Sequence, residues 1–140
     1  MPAVNQIELH PFFIQKELRD ANARLGIVTE AWSPIGNSVR VFSAPDERKD
    51  PLTHLTVAGL ATKYGKTPAQ VILRWHTQQG RCAIPKSIHP ERIAENIDIF
   101  DFTMTPAELA AIDAMDTGKR SGLDPEAVNA KTFAFNVENQ

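Results

Sequence analysis

Ile27-Val28-Thr29-Glu30-Ala31-Trp32-Ser33-Pro34 is the stretch on which the fold turns. It follows Gly26, a helix stop, and is a short apolar run rich in β-branched residues that closes on Ser-Pro, so it reads as a strand. Upstream, Ile14 to Leu25 places Ile14, Leu18, Ala21 and Leu25 on one helical face, with Gln15, Lys16, Glu17, Arg19 and Asp20 around it. Before that helix, Val4-Asn5-Gln6-Ile7-Glu8-Leu9 is a roughly alternating strand closed by His10-Pro11. A strand, a helix and a second strand in this order make a parallel βαβ unit.

Downstream the alternation continues. Asn37 to Pro51 is polar, holds two prolines and has no periodicity, so a long loop is expected, of the kind that often serves as a lid or binding loop. Leu52 to Tyr64 reads as a helix stopped by Gly65, with Leu55, Ala58, Leu60 and Ala61 as its buried side. Thr67-Pro68 opens another helix, Thr as N-cap and Pro at the first position, running through Trp75 to Gly80. Cys82-Ala83-Ile84 is a third strand ending at Pro85, and Pro90 to Ile97 a short helix. Thr105-Pro106-Ala107-Glu108 is a capping box that starts a last helix reaching about Met115. The residues after Asp116 carry little pattern and are expected to be loop. The order β-α-β-α-α-β-α-α describes an α/β chain with a parallel sheet, and no linker divides residues 1–140 into two domains.

Composition bounds the partners. A formal charge of −2 and 42% hydrophobic residues describe an ordinary globular domain and argue against nucleic acid or an anionic membrane as the main partner. One cysteine, Cys82, excludes an internal disulfide and fits a reducing compartment; its apolar strand suggests burial rather than reactivity. Neither a signal-peptide pattern nor an apolar stretch of spanning length is visible, so a cytoplasmic location is expected. His10, His54, His76 and His89 show no metal-ligand spacing, and no metal site is expected. The run Asp46-Glu47-Arg48-Lys49-Asp50 reads as a solvated loop.

In parallel α/β folds ligands bind at the carboxyl ends of the strands. Here those ends carry Gln6 and His10, then Trp32-Ser33-Pro34-Ile35-Gly36, then Lys86-Ser87. Lys86 and Ser87 leave a strand and approach a helix start, where the dipole and free N–H groups favour an anion, and Arg92 adds a planar fork. The same residues read equally well as a solvated turn. Trp32 is either core or a platform for a flat ring, and His10 before proline fits a structural role. Gly-x-Gly-x-x-Gly, P-loop and Gly-x-Ser-x-Gly patterns are all absent.

Four segments then carry a resemblance: Pro2 to Pro11, Ala31 to Gly36, Gly65 to Trp75, and Ile84-Pro85-Lys86-Ser87 with Pro90-Glu91-Arg92-Ile93-Ala94-Glu95-Asn96. In this order they resemble the aldo-keto reductases over most of residues 2–125, and with Trp at position 32 they look most like the bacterial 2,5-diketo-D-gluconate reductase branch. The resemblance implies the carboxy-terminal part, about three βα units, of a (β/α)8 TIM barrel that binds NADP(H) and reduces carbonyls to alcohols. Carried over by position, Gln6 would bond the nicotinamide carboxamide and Trp32 stack on its ring. Ser33, Ile35, Gly36 and Asn37 would line the diphosphate. Lys86, Ser87 and Arg92 would hold the adenosine 2′-phosphate, with Glu95 and Asn96 at the adenine. His89, where a small hydroxylated residue is common, and the loop after Gly36 depart from the family pattern.

The family's catalytic Tyr, Asp, Lys and His belong to earlier strands, so no catalytic residue is assigned. Tyr64, the only tyrosine, sits in a helix and is no substitute. The chain alone is therefore expected to be inactive, and to act on a small carbonyl substrate only when completed by an amino-terminal half. Exposed sheet edges also predict self-association, a symmetric dimer being the simplest form. The other readings are a non-catalytic assembly or nucleotide-binding module and a functionless remnant.

Overall fold

A computed structural model describes residues 1–37, 39 and 49–129. Three parallel strands, β1 (Val4–Glu8), β2 (Val28–Trp32) and β3 (Cys82–Ala83), form one sheet in sequence order. The register sets Gln6 beside Glu30, Glu8 beside Trp32, and Glu30 beside Cys82. Gln6, Glu8, Glu30, Trp32 and Cys82 therefore share one face, and Ile7, Thr29 and Ala31 the other.

Among the described residues, helices cover only the second face. α1 (Lys16–Arg24) connects β1 to β2; a 3-10 turn (Pro51–Thr53), α2 (Leu55–Tyr64) and α3 (Pro68–Gln78) connect β2 to β3. α4 (Pro90–Ile97) and α5 (Pro106–Asp113) follow β3. The core between sheet and helices holds Leu9, Ala31, Val57, Val71, Ile72, Leu73, Trp75, Met104 and Ile112, all almost fully buried. The Trp75 indole donates to Asp113 at 2.8 Å and ties α3 to α5.

The caps act as expected. Thr67 and Gln70 form a full capping box on α3, and Thr105 and Glu108 one on α5, each with proline in the first turn. The chain then returns to the end of β1: Thr117 donates twice to the Phe12 carbonyl, and Asp116 accepts from Ile14 N at 3.1 Å. Residues 117–129 hold no helix or strand, as their lack of pattern suggested.

Several expectations need correction. α1 is shorter than Ile14 to Leu25, and its buried residue is Asn22, which donates to Thr29 at 3.0 Å and accepts from Asn5. Leu18 and Leu25 are exposed, because a polar clasp rather than an apolar stripe seats this helix. α2 begins at Leu55, three residues late, since Asp50 caps a separate 3-10 turn ahead of it. It buries Val57 and Ala61, leaving Leu55 outside. Cys82 is exposed rather than buried, because the edge strand β3 leaves it on the open face. Burial of its thiol, though partial, and the Glu30 carboxylate beside it hold its pKa above the ordinary value, which disfavours the nucleophilic thiolate. The loop expected over Asn37 to Pro51 lies mostly outside the described residues. Among those residues, no helix is long and apolar enough to cross a membrane, and no group of three His, Cys, Asp or Glu side chains could hold a metal.

Candidate functional site

The carboxyl ends of β2 and β3 open into a cavity of about 620 Å³. One wall is the turn after β2, with Ser33, Ile35 and Asn37; the other is Lys86, Ser87 and the helix face of Arg92, Glu95 and Asn96. Eight of the eleven residues singled out from sequence thus line one cavity, although two whole helices and a strand separate its walls along the chain.

The turn wall has unusual backbone. Ser33 adopts φ 51°, a left-handed conformation that a non-glycine residue rarely holds, and Gly36 adopts φ 81°. Gly36 N donates to the Ser33 carbonyl at 2.8 Å, and His76 holds the next carbonyl, that of Pro34, at 3.0 Å. Since a carbonyl only accepts, His76 carries its proton on Nε2. Burial first, then the Arg81 charge, hold the His76 pKa well below the usual range, so it is neutral. Gly36 itself is required by packing, because a Cβ there would lie 2.5 Å from the Pro51 ring. Strained backbone held this firmly is typical of a binding turn.

The opposite wall is cationic and uncommitted. Lys86 and Arg92 are exposed, and neither side chain has an ion-pair partner among the described residues. His89, the N-cap of α4, makes no side-chain capping bond, and the Ser87 hydroxyl accepts from His89 N at 3.1 Å. An uncapped helix start, two cations and a hydroxyl together suit a bound oxyanion. α4 is fixed from behind: buried Gln70 donates to the carbonyls of Asp98 at 2.8 Å and Glu95 at 3.2 Å. Lys66 bridges Asp98 and Asp101 at 2.9 and 2.8 Å. The capping glutamine of α3 therefore positions the helix that carries Arg92, Glu95 and Asn96.

Gln6 and Trp32 lie apart from this cavity, on the open face of the sheet. The Gln6 amide donates to Glu30, and Trp32 is half-buried beneath the tail. That covering was not foreseen. Glu8, 1% exposed, accepts from the backbone N–H groups of Ser121 and Gly122 and from the Ser121 hydroxyl, and it meets His10 at 3.2 Å and Arg120 at 3.7 Å. A Cβ on Gly122 would lie 2.5 Å from the Trp32 ring and 2.9 Å from Glu8 Oε2. The readable signal was an acidic residue at the end of a strand whose neighbours are apolar, since a buried carboxylate must recruit donors. Its partners, 113 residues away, gave no such signal. His10 has the structural role expected of it, and Tyr64 donates to Glu108 and to the Thr103 carbonyl, far from either site.

Known proteins resemble this chain in sequence and fold. The chain is 54% identical over 136 residues to morphine 6-dehydrogenase of Pseudomonas putida, covering 96% of this chain and 46% of that protein. It is 46% identical to methylglyoxal reductase DkgA of Escherichia coli K12, covering 89% of this chain and 42% of that one. The crystal structure of a Gox0644 mutant in complex with NADPH superposes with a TM-score of 0.81 at 40% identity, over 92% of this chain and 44% of that one. The Bombyx mori aldo-keto reductase in complex with NADP gives 0.78 at 36% identity, over 88% and 39%. The chain spans less than half the length of these relatives. The aldo/keto reductase family matches residues 1–117, the family expected from the four motifs, and the chain belongs to it.

Proposed function

We propose that residues 1–140 are the carboxy-terminal, NADP(H)-binding portion of an aldo-keto reductase that reduces aldehydes, ketones or keto sugars to alcohols. The three strands are then the last three of a (β/α)8 barrel. The open face carrying Gln6, Glu30 and Trp32 is then part of the barrel interior. The observation that carries this reading is the cavity in which uncommitted Lys86 and Arg92 flank the uncapped start of α4. A 2′-phosphate is the feature that separates NADPH from NADH, and this wall offers it charge, a hydroxyl and helix-end N–H groups.

The other positions are carried over from the resemblance. Ser33, Ile35, Gly36 and Asn37 form the wall along a diphosphate, Glu95 and Asn96 face the adenine, and Gln6 and Trp32 receive the nicotinamide. NADPH, when bound, supplies the hydride. A proton donor for the carbonyl oxygen is a separate requirement, and Tyr64 does not meet it because its hydroxyl is committed to Glu108 across the fold. The chain by itself is accordingly a binding unit rather than a complete reductase.

Trp fluorescence tests the binding claim. NADPH should quench it saturably and more strongly than NADH at equal concentration. Lys86→Met with Arg92→Leu should weaken NADPH by about 100-fold, roughly tenfold for each charge-assisted contact, and leave NADH nearly unchanged. Equal response to both cofactors, or none at millimolar NADPH, would overturn the reading. Turnover restored by adding an amino-terminal barrel fragment would establish the split enzyme.

A further inference from the structure

A second cavity, of about 370 Å³, lies at the other end of the sheet. It sits where β2 and β3 begin, between α1 and the loop from α3 to β3, and is lined by Arg19, Asp20, Thr29, Gln79 and Arg81 among others. It shares no residue with the cavity at the carboxyl ends.

Arg81 is the unusual member. It is only 6% exposed and stacks on the Trp75 ring with its guanidinium carbon 4.0 Å from the centroid. Its Nη2 donates to the Trp75 carbonyl at 2.9 Å, and to the Gln79 amide oxygen at 2.9 Å when that amide is turned oxygen-inward. Nε and Nη1 are buried and have no acceptor, and neither does Nη1 of Arg19. Three buried donors on two guanidinium groups thus lack partners around one cavity. An unpaired buried charge is among the most costly features a fold can hold.

The nearby acids do not resolve this. Asp20 is bonded to Lys16 at 2.6 Å on the exposed side of α1. Asp113 accepts from the Trp75 indole. Burial, then the charge of Arg19, press the Arg81 pKa down to about 9, a measure of how poorly its charge is compensated. Two guanidinium groups with unpartnered N–H groups, on residues that line one pocket, match the tetrahedral, multiply charged geometry of a phosphate better than that of a neutral ligand.

We infer that the pocket at the amino-terminal end of the strands is a second anion site, in which Arg81 and Arg19 bind a small phosphate-type oxyanion. The inference is independent of the NADP(H) reading, because it uses neither its residues nor its cavity.

The chain has two tryptophans, Trp32 at the carboxyl end of β2 and Trp75 stacked on Arg81, so indole N–H resonances report each site separately. Inorganic phosphate titrated at constant ionic strength into the ¹⁵N-labelled full chain should shift the Trp75 indole signal saturably. The Trp32→Phe variant identifies that signal. The response should persist in the Lys86→Met, Arg92→Leu variant, which removes the other phosphate-binding wall. Arg81→Gln should abolish it, and Arg19→Gln, an edge substitution that spares the core stack, should weaken apparent affinity about tenfold. The absence of a saturable Trp75 shift at about 50-fold molar excess of phosphate would overturn the inference. So would a shift lost with Lys86 and Arg92, or one undiminished in Arg19→Gln.

Discussion

Glu8 illustrates how much one side chain organises. Its carboxylate is buried at the end of β1, yet it receives two backbone N–H groups and a hydroxyl from the tail, with Arg120 nearby. Charge-assisted bonds of this kind contribute about 1.5–3 kcal/mol each, and an abandoned buried partner costs a similar amount. Gly122 has a complementary duty: no side chain fits between Trp32 and Glu8. Both residues thereby hold the tail over Trp32, the proposed nicotinamide platform. Glu8→Gln should turn amide hydrogens toward donors, and Gly122→Ala should push the tail off the ring. In each variant, tryptic cleavage after Lys119 or Arg120 should accelerate about tenfold, the consequence of ~1.4 kcal/mol lost locally. Far-ultraviolet circular dichroism should be little changed, because residues 117–129 hold no regular structure. A cleavage rate equal to that of the parent chain in both variants would show that this clamp does not hold the tail.

Among the elements, α3 and α5 depend on titratable groups, and the pH dependence of stability follows. Glu108 caps α5 and accepts from Lys63 and Tyr64; Lys63 first, then Tyr64, lower its pKa from 4.5 to about 2. A carboxylate lowered in the fold contributes fully above 4.5, and that contribution is lost as pH falls toward 2. His76 on α3 is held neutral by burial, its folded pKa well below 6.5. The unfolded chain therefore takes up a proton that the native one resists, and stability should already decline below pH 6.5. Urea midpoints from about pH 8 to about pH 3 should fall in two stages. His76→Gln should flatten the first and Glu108→Gln the second; a profile unchanged by either substitution would refute the assignment. These elements also show what could be read from the chain. Thr67-Pro68 and Thr105-Pro106-Ala107-Glu108 announced their helices because capping is local. The buried faces of α1 and α2 were misjudged because Asn22 bonds across to Asn5 and Thr29, and Val57 rather than Leu55 joins the core, facts of tertiary packing. Lys86, Ser87 and Arg92 read by position as either an anion site or a solvated turn. Only the fold showed that Ser33, Ile35 and Asn37 face them across one cavity.

Among the described residues, helices cover one side of the sheet only. Helices pack on the Ile7, Thr29 and Ala31 face, while on the other face Val4 and Val28 are each 47% exposed and only the tail intervenes. Leu18 and Leu25 on α1 are exposed as well. β1 and β3 each have an edge that no strand of the described residues pairs, and an unpaired edge beside open apolar surface favours association with another chain. The relatives, more than twice as long, have additional chain available to cover such a surface. Two copies meeting through this face would cover it, and a twofold arrangement satisfies both at once. The purified chain should therefore sediment as a dimer or larger species, and its melting temperature should rise with protein concentration. Val28→Lys, which charges the open face without entering the helical core, should shift the population toward monomer. A monodisperse monomer of the parent chain with a cooperative, concentration-independent melt would show instead that the covered face alone sustains the fold, and the proposed need for a partner would fall with it.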